Sequence, residues 1–188
     1  MTGTNPHRMN LVALGLMSYV AVFCAARFHG FSILSGAQFD FLPGLVVVAA
    51  MMHGVWAVLV VSITGGLLYD CLSANPVGVT TFVLAIVGTF VFLNRDLLLR
   101  DQSYPQFILG AGASGASPLM GFVVLSVMGR HPLVEWTSLW VWLVMTVTGG
   151  LLTPLWFVIF RRVDKALHYQ DVPESSFRPD REIERGKT

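Results

Sequence analysis

Gly65-Gly66-Leu67-Leu68-Tyr69-Asp70-Cys71-Leu72-Ser73-Ala74-Asn75-Pro76-Val77-Gly78 is the one stretch of the chain where strong turn chemistry and a fixed carboxylate interrupt two long apolar runs. It reads as a tight corner between two membrane helices. Asn75 suits an N-cap, and Pro76 then falls at the first helical position, where a missing N–H is harmless and the fixed φ suits the helix. A new helix is therefore expected from Pro76. Asp70, Ser73 and Asn75 carry side chains able to bond the free N–H groups of the corner, and Gly78 is expected to let a neighbouring backbone come close.

The composition around that corner is not that of a water-soluble domain. Of 188 residues, 54% are hydrophobic and 12% charged, and the mean hydropathy is +0.66. Such a chain reads as one membrane domain. The formal net charge of +1 conceals an asymmetry, because most Lys and Arg follow Phe160. Charge here reports topology, and nothing points to a nucleic-acid surface. Cys24 and Cys71 lack the paired spacing of a metal or redox site and read as inert. Phe23 is too large for the small residue expected before a lipidated cysteine, and the run from Asn10 to Ala26 lacks a small-x-small cleavage site, so it reads as a retained first span.

A helix needs about 20 apolar residues to cross a bilayer, so the gaps between charges map the spans. The expected set is 9–28, 38–52, 55–72, 76–93, 104–128 and 136–160 within a domain of residues 1–167, with 168–188 a disordered cytoplasmic tail. The uncharged run from Phe41 to Tyr69 is too long for one untilted helix and too short for two full ones. His53-Gly54 is the natural break, which makes the second span short, with Asp40 at the outer interface. The polar approach Ser32, Ser35, Gln38 and Asp40 has interfacial placement or re-entry as its alternative. Asn94 to Asp101 alternates charges around three leucines and reads as a short amphipathic turn. Pro118 is expected to kink the fifth span. Trp136, Trp140 and Trp142 at one end of the sixth span and Trp156 at the other suit the two interfaces. Counting Lys and Arg near span ends places both termini in the cytoplasm. Gly65-Gly66-Leu67-Leu68 and Gly149-Gly150-Leu151-Leu152 echo each other about 84 residues apart, as two related three-helix halves would.

The ordered set Gly66-Leu67-Leu68, Asp70, Leu72-Ser73 and Pro76-x-Gly78 resembles the hallmark of MreD, the multi-pass rod shape-determining protein family of bacteria. The resemblance is strongest over residues 41 to 100 and compatible up to a closing helix that runs into Arg161-Arg162. It implies an all-α integral membrane protein of about six transmembrane helices in one bundle, in the bacterial cytoplasmic (inner) membrane. It further implies a non-enzymatic scaffold of the cell-elongation complex. Such a scaffold maintains rod shape by working with MreC, a single-span partner, and by linking MreB filaments, directly or indirectly, to RodA and the class B penicillin-binding transpeptidase that build the peptidoglycan of the lateral wall. No cofactor is implied.

The residues themselves argue for packing over reactivity. Asp70 reads first as the tie of the corner and second as a partner contact, because no second carboxylate, His or Lys lies near it in sequence to complete an acid and base pair. His7, His29, His53, His131 and His168 are scattered and mark loops, so neither catalytic nor metal residues are assigned. Gly110, Gly112, Ser114, Gly115 and Ser117, with Gly149 and Gly150, supply close-approach surfaces for helices inside the protein or on a partner. Gly112→Leu and Gly115→Leu are expected to abolish co-purification with MreC. The alternative function is a substrate-binding membrane subunit of a small-solute transporter, since the chain is also similar in size and glycine-rich spans to those subunits of energy-coupling vitamin transporters. That reading requires a cavity with convergent polar groups.

Overall fold

The computed structural model describes residues 6–27, 40–73, 75–95, 103–130 and 136–167. Among these residues every regular element is a helix: α1 (Pro6–Arg27), α2 (Leu42–Met52), α3 (Val55–Leu72), α4 (Val79–Leu93), α5 (Ser103–Val127) and α6 (Trp136–Leu167). Four of them, α1, α3, α5 and α6, are long and apolar enough to cross a membrane. The amphipathic turn expected after Asn94, the polar approach ahead of Asp40 and the tail lie wholly or largely outside the described residues.

The fold is built around its shortest helix. α2 has 11 residues, and every residue from Leu42 to Met51 is buried, where a helix apolar on all sides belongs. It packs against each of the other five described helices. At 1.5 Å per residue it is roughly 16 Å long, about half the hydrocarbon thickness of a bilayer. The expected second span is thus a central post that does not cross by its own length. Its ends are written locally. Asp40 Oδ1 accepts the Leu42 N–H at 3.0 Å, satisfying one of the donors that the first turn leaves free, and Pro43 is tolerated in that turn. At the other end the N–H groups of His53 and Gly54 both return to the Ala49 carbonyl. Gly54, at φ +91, then turns the chain back into α3.

α3 packs on α1, α2 and α4, and α4 on α2 and α5. The long α5 and α6 form the most extensive pair and close the bundle against α2. α5 runs on through Pro118 and α6 through Pro154. α6 also extends past the expected end at 160 to Leu167, with Arg161 and Arg162 exposed on its last turns. At one end of the bundle, Asn10 Nδ2 of α1 lies 3.1 Å from His53 Nε2 and donates to Asp164 Oδ1 of α6 at 3.3 Å. The His53 ring meets Phe160 edge-on. The corner after α3 occupies the opposite end.

Candidate functional site

The corner differs from its expected form at the start of α4. The helix begins at Val79, not at Pro76, and Gly78, not Asn75, is its N-cap residue. Gly78 has φ +101, a left-handed conformation that costs an L side chain roughly 1–2 kcal/mol and that interrupts any helix drawn from Pro76. An added Cβ there would meet nothing within 4 Å, so the glycine serves the turn and not a close approach. Capping comes from the preceding helix. Asp70, 1% exposed, accepts the Gly78 N–H on Oδ2 at 2.7 Å and shares the Thr80 N–H between Oδ2 at 3.2 Å and Oδ1 at 3.3 Å.

A carboxylate with N–H donors at a helix N-terminus is doubly favoured, by charge-assisted hydrogen bonds and by the helix dipole. Asp70 therefore fastens the end of α3 to the start of α4. The same two helices touch at Gly66, where an added Cβ would stand 2.6 Å from the Thr81 backbone. Ser73 contributes longer contacts: its Oγ accepts the Asn75 N–H at 3.3 Å and donates to the Asp70 carbonyl at 3.4 Å. Pro76 accepts the Val79 N–H on its carbonyl at 3.3 Å. Leu72 and Val77 remain exposed.

The small residues of α5 divide between two environments. Gly110 and Gly149 lie in the seam between α5 and α6: a Cβ on Gly110 would collide with the Thr153 side chain, and one on Gly149 with Ser114. A Cβ on Gly150 would stand 2.9 Å from Phe107, and one on Gly115 3.0 Å from Thr146. Trp142 Nε1 donates to the Gly115 carbonyl at 2.9 Å, beside the Ser114 carbonyl to which Pro118 has no N–H to offer. Ser117 Oγ bonds back to the Ala113 carbonyl at 2.8 Å. These residues are joined within the chain. Gly112 is exposed and has open space at its Cβ position.

A cavity of about 310 Å³ opens at the Asp70 end between α4 and α5, with α6 behind it. Asp40, Tyr69 and Asn75 line it near the corner; Val83, Leu84, Phe122, Leu125 and Met145 form apolar walls; Ser114, Ser117 and Pro118 lie deeper along α5. Asp40 precedes α2, and burial pushes its carboxyl up to about 6 although the Leu42 N–H bond pulls it down. Ser114, 3% exposed, has a buried Oγ without a hydrogen-bond partner.

Two features were not expected from sequence. The cavity needs the register of α4 against α5, which no local pattern records. Asn10, His53 and Asp164 meet across separations of 43 and 154 residues, and no periodicity connects them. Asp40 did carry a signal, a short acidic side chain two residues ahead of a helix with Pro in its first turn. Among the described residues no group of three or more His, Cys, Asp or Glu is placed to hold a metal. In comparisons with known proteins, no family model, no curated protein and no solved structure matches this chain.

Proposed function

We propose that the chain is a non-enzymatic membrane scaffold of the MreD type, which holds MreC and through it connects MreB filaments to RodA and the class B transpeptidase. The observation that carries this reading is the use of the resembling motif. Gly66 gives close contact, Asp70 caps the next helix and Gly78 supplies the turn, so its residues build a rigid corner. In the proposed topology all six helices serve one bundle in the bacterial inner membrane with both termini cytoplasmic. The end bearing Arg95, Arg161, Arg162 and Lys165 then faces inward, and the Asp70 corner faces out.

The partner surface follows by subtraction. Gly110, Ser114, Gly115, Gly149 and Gly150 are occupied by contacts between α5 and α6, which leaves Gly112 on the lipid side and Leu72 and Val77 at the corner. Photo-crosslinkers placed at Leu72, Val77 and Gly112 in living cells test this. MreC captured at one or more of these positions, and not at Trp56 on the exposed side of α3, is the expected result. Equal capture at all four, or capture of no elongation protein, contradicts the reading. The 310 Å³ cavity favours a second reading, a substrate-binding subunit of a small-solute transporter. A metabolite retained through purification, in a chain that captures no elongation protein, would select that one.

A further inference from the structure

The cavity has a chemistry that a docking role at the corner does not use. Its walls are apolar, and its volume lies at the lower end of the range of small-molecule pockets. Its one charged lining residue stands at the corner end. At the corner is the Asp40 carboxylate, which among the described residues takes a hydrogen bond from Leu42 N–H and has no cation within ion-pairing distance. At depth are Ser114, Ser117 and Pro118 of α5, where the Ser114 Oγ is closed off against Gly149 of α6 and the Ser117 Oγ bonds back to the Ala113 carbonyl. From Ser114 to Leu125 the cavity follows α5 for about 16 Å. A carboxylate set against apolar walls without a cation is costly and asks for an explanation.

A ligand that ends in an ammonium group meets the carboxylate with charge-assisted hydrogen bonds. An apolar body covers Phe122, Leu125 and Met145. A neutral ligand leaves the carboxylate desolvated and uncompensated, and an anion adds repulsion to that penalty. We propose that this cavity is a binding site for a small organic ammonium ion, with Asp40 as its ion-pair partner and the apolar side chains of α5 and α6 receiving its body. The assignment goes beyond the scaffold reading and stands or falls independently of it.

The test uses the full chain in nanodiscs of phosphatidylcholine and three probes of one shape and different charge: 2-phenylethylammonium, 2-phenylethanol and phenylacetate. Calorimetric titration should show saturable binding of the ammonium at one per chain, with the alcohol roughly tenfold weaker, the value of one hydrogen bond to a charged group, and no binding of the carboxylate. Asp40→Asn keeps an oxygen for the Leu42 N–H and should bring the ammonium down to the affinity of the alcohol. The charge series on the unaltered chain decides the matter even if that variant does not fold. Equal affinity for ammonium and alcohol, preference for the carboxylate, saturable binding of none of the three, or full ammonium affinity in a folded Asp40→Asn variant would each overturn the proposal.

Discussion

Asp70→Ala removes the one side chain that caps α4 from α3, and its cost can be worked from the geometry. The Gly78 N–H loses a short charge-assisted bond of 2.7 Å. The Thr80 N–H loses a longer shared one of 3.2–3.3 Å. A hydrogen bond to a charged group contributes about 1.5–3 kcal/mol and a longer, shared one nearer 1 kcal/mol, so the Ala variant should lose about 3 kcal/mol. Asp70→Asn keeps an oxygen for Gly78 and gives up the charge, for a loss of about 1 kcal/mol. Ser73→Ala, with contacts of 3.3 and 3.4 Å near the surface, should fall below about 0.5 kcal/mol. Denaturant titration of the purified chain in detergent ranks the three. Amide exchange locates the effect, because Gly78 and Thr80 should exchange about a hundredfold faster in the Ala variant than in the parent. An Ala variant as stable as the parent, or one whose Gly78 amide stays protected, would refute the claim that the carboxylate fastens the corner.

Three further outcomes follow from the same structure. Gly149→Ala drives a methyl into Ser114 and should cost about 1–3 kcal/mol by overpacking. Gly112→Ala meets open space and should stabilise by about 0.5–1 kcal/mol through helix propensity; unfolding titrations of the two variants should therefore move in opposite directions. The third outcome concerns pH. Burial holds the Asp40 carboxyl up at about 6, and Tyr69 lies within electrostatic reach of it. A raised carboxylate pKa means that ionisation opposes folding, so the stability of the ligand-free chain is fullest below the ordinary carboxylate range and declines as pH rises through about 6. Affinity for 2-phenylethylammonium runs the other way and weakens as pH falls through that value, which titrations at pH 5 and pH 7.5 will show.

The helical, membrane-like character of the chain was legible in its sequence because apolar runs bounded by charges need no tertiary information. The corner was legible in place but not in mechanism. Asn75-Pro76 is a strong local start signal, yet Asp70, five residues before Asn75 and on the previous helix, supplies the cap. A tertiary hydrogen bond to a buried carboxylate outcompetes a local one. The short run Leu42–Met52 was legible as a break in length, while its role as the central post depends on burial on every side, which composition alone does not distinguish from lipid exposure. The small residues of α5 form a readable stripe, but only the facing Thr146, Gly149 and Thr153 separate the packed Gly110 and Gly115 from the open Gly112. The Asn10, His53 and Asp164 cluster left no local trace, since hydrogen bonds between distant polar residues impose no period on the chain.

The scaffold reading is tested most directly by removing the chain from the cells that make it and following their width and length by microscopy. Progressive loss of cylindrical form, reversed by the parent chain and not by an inserted but corner-broken Asp70→Ala variant, is the expected result. Cells that keep their width and continue to elongate without the chain would contradict the account.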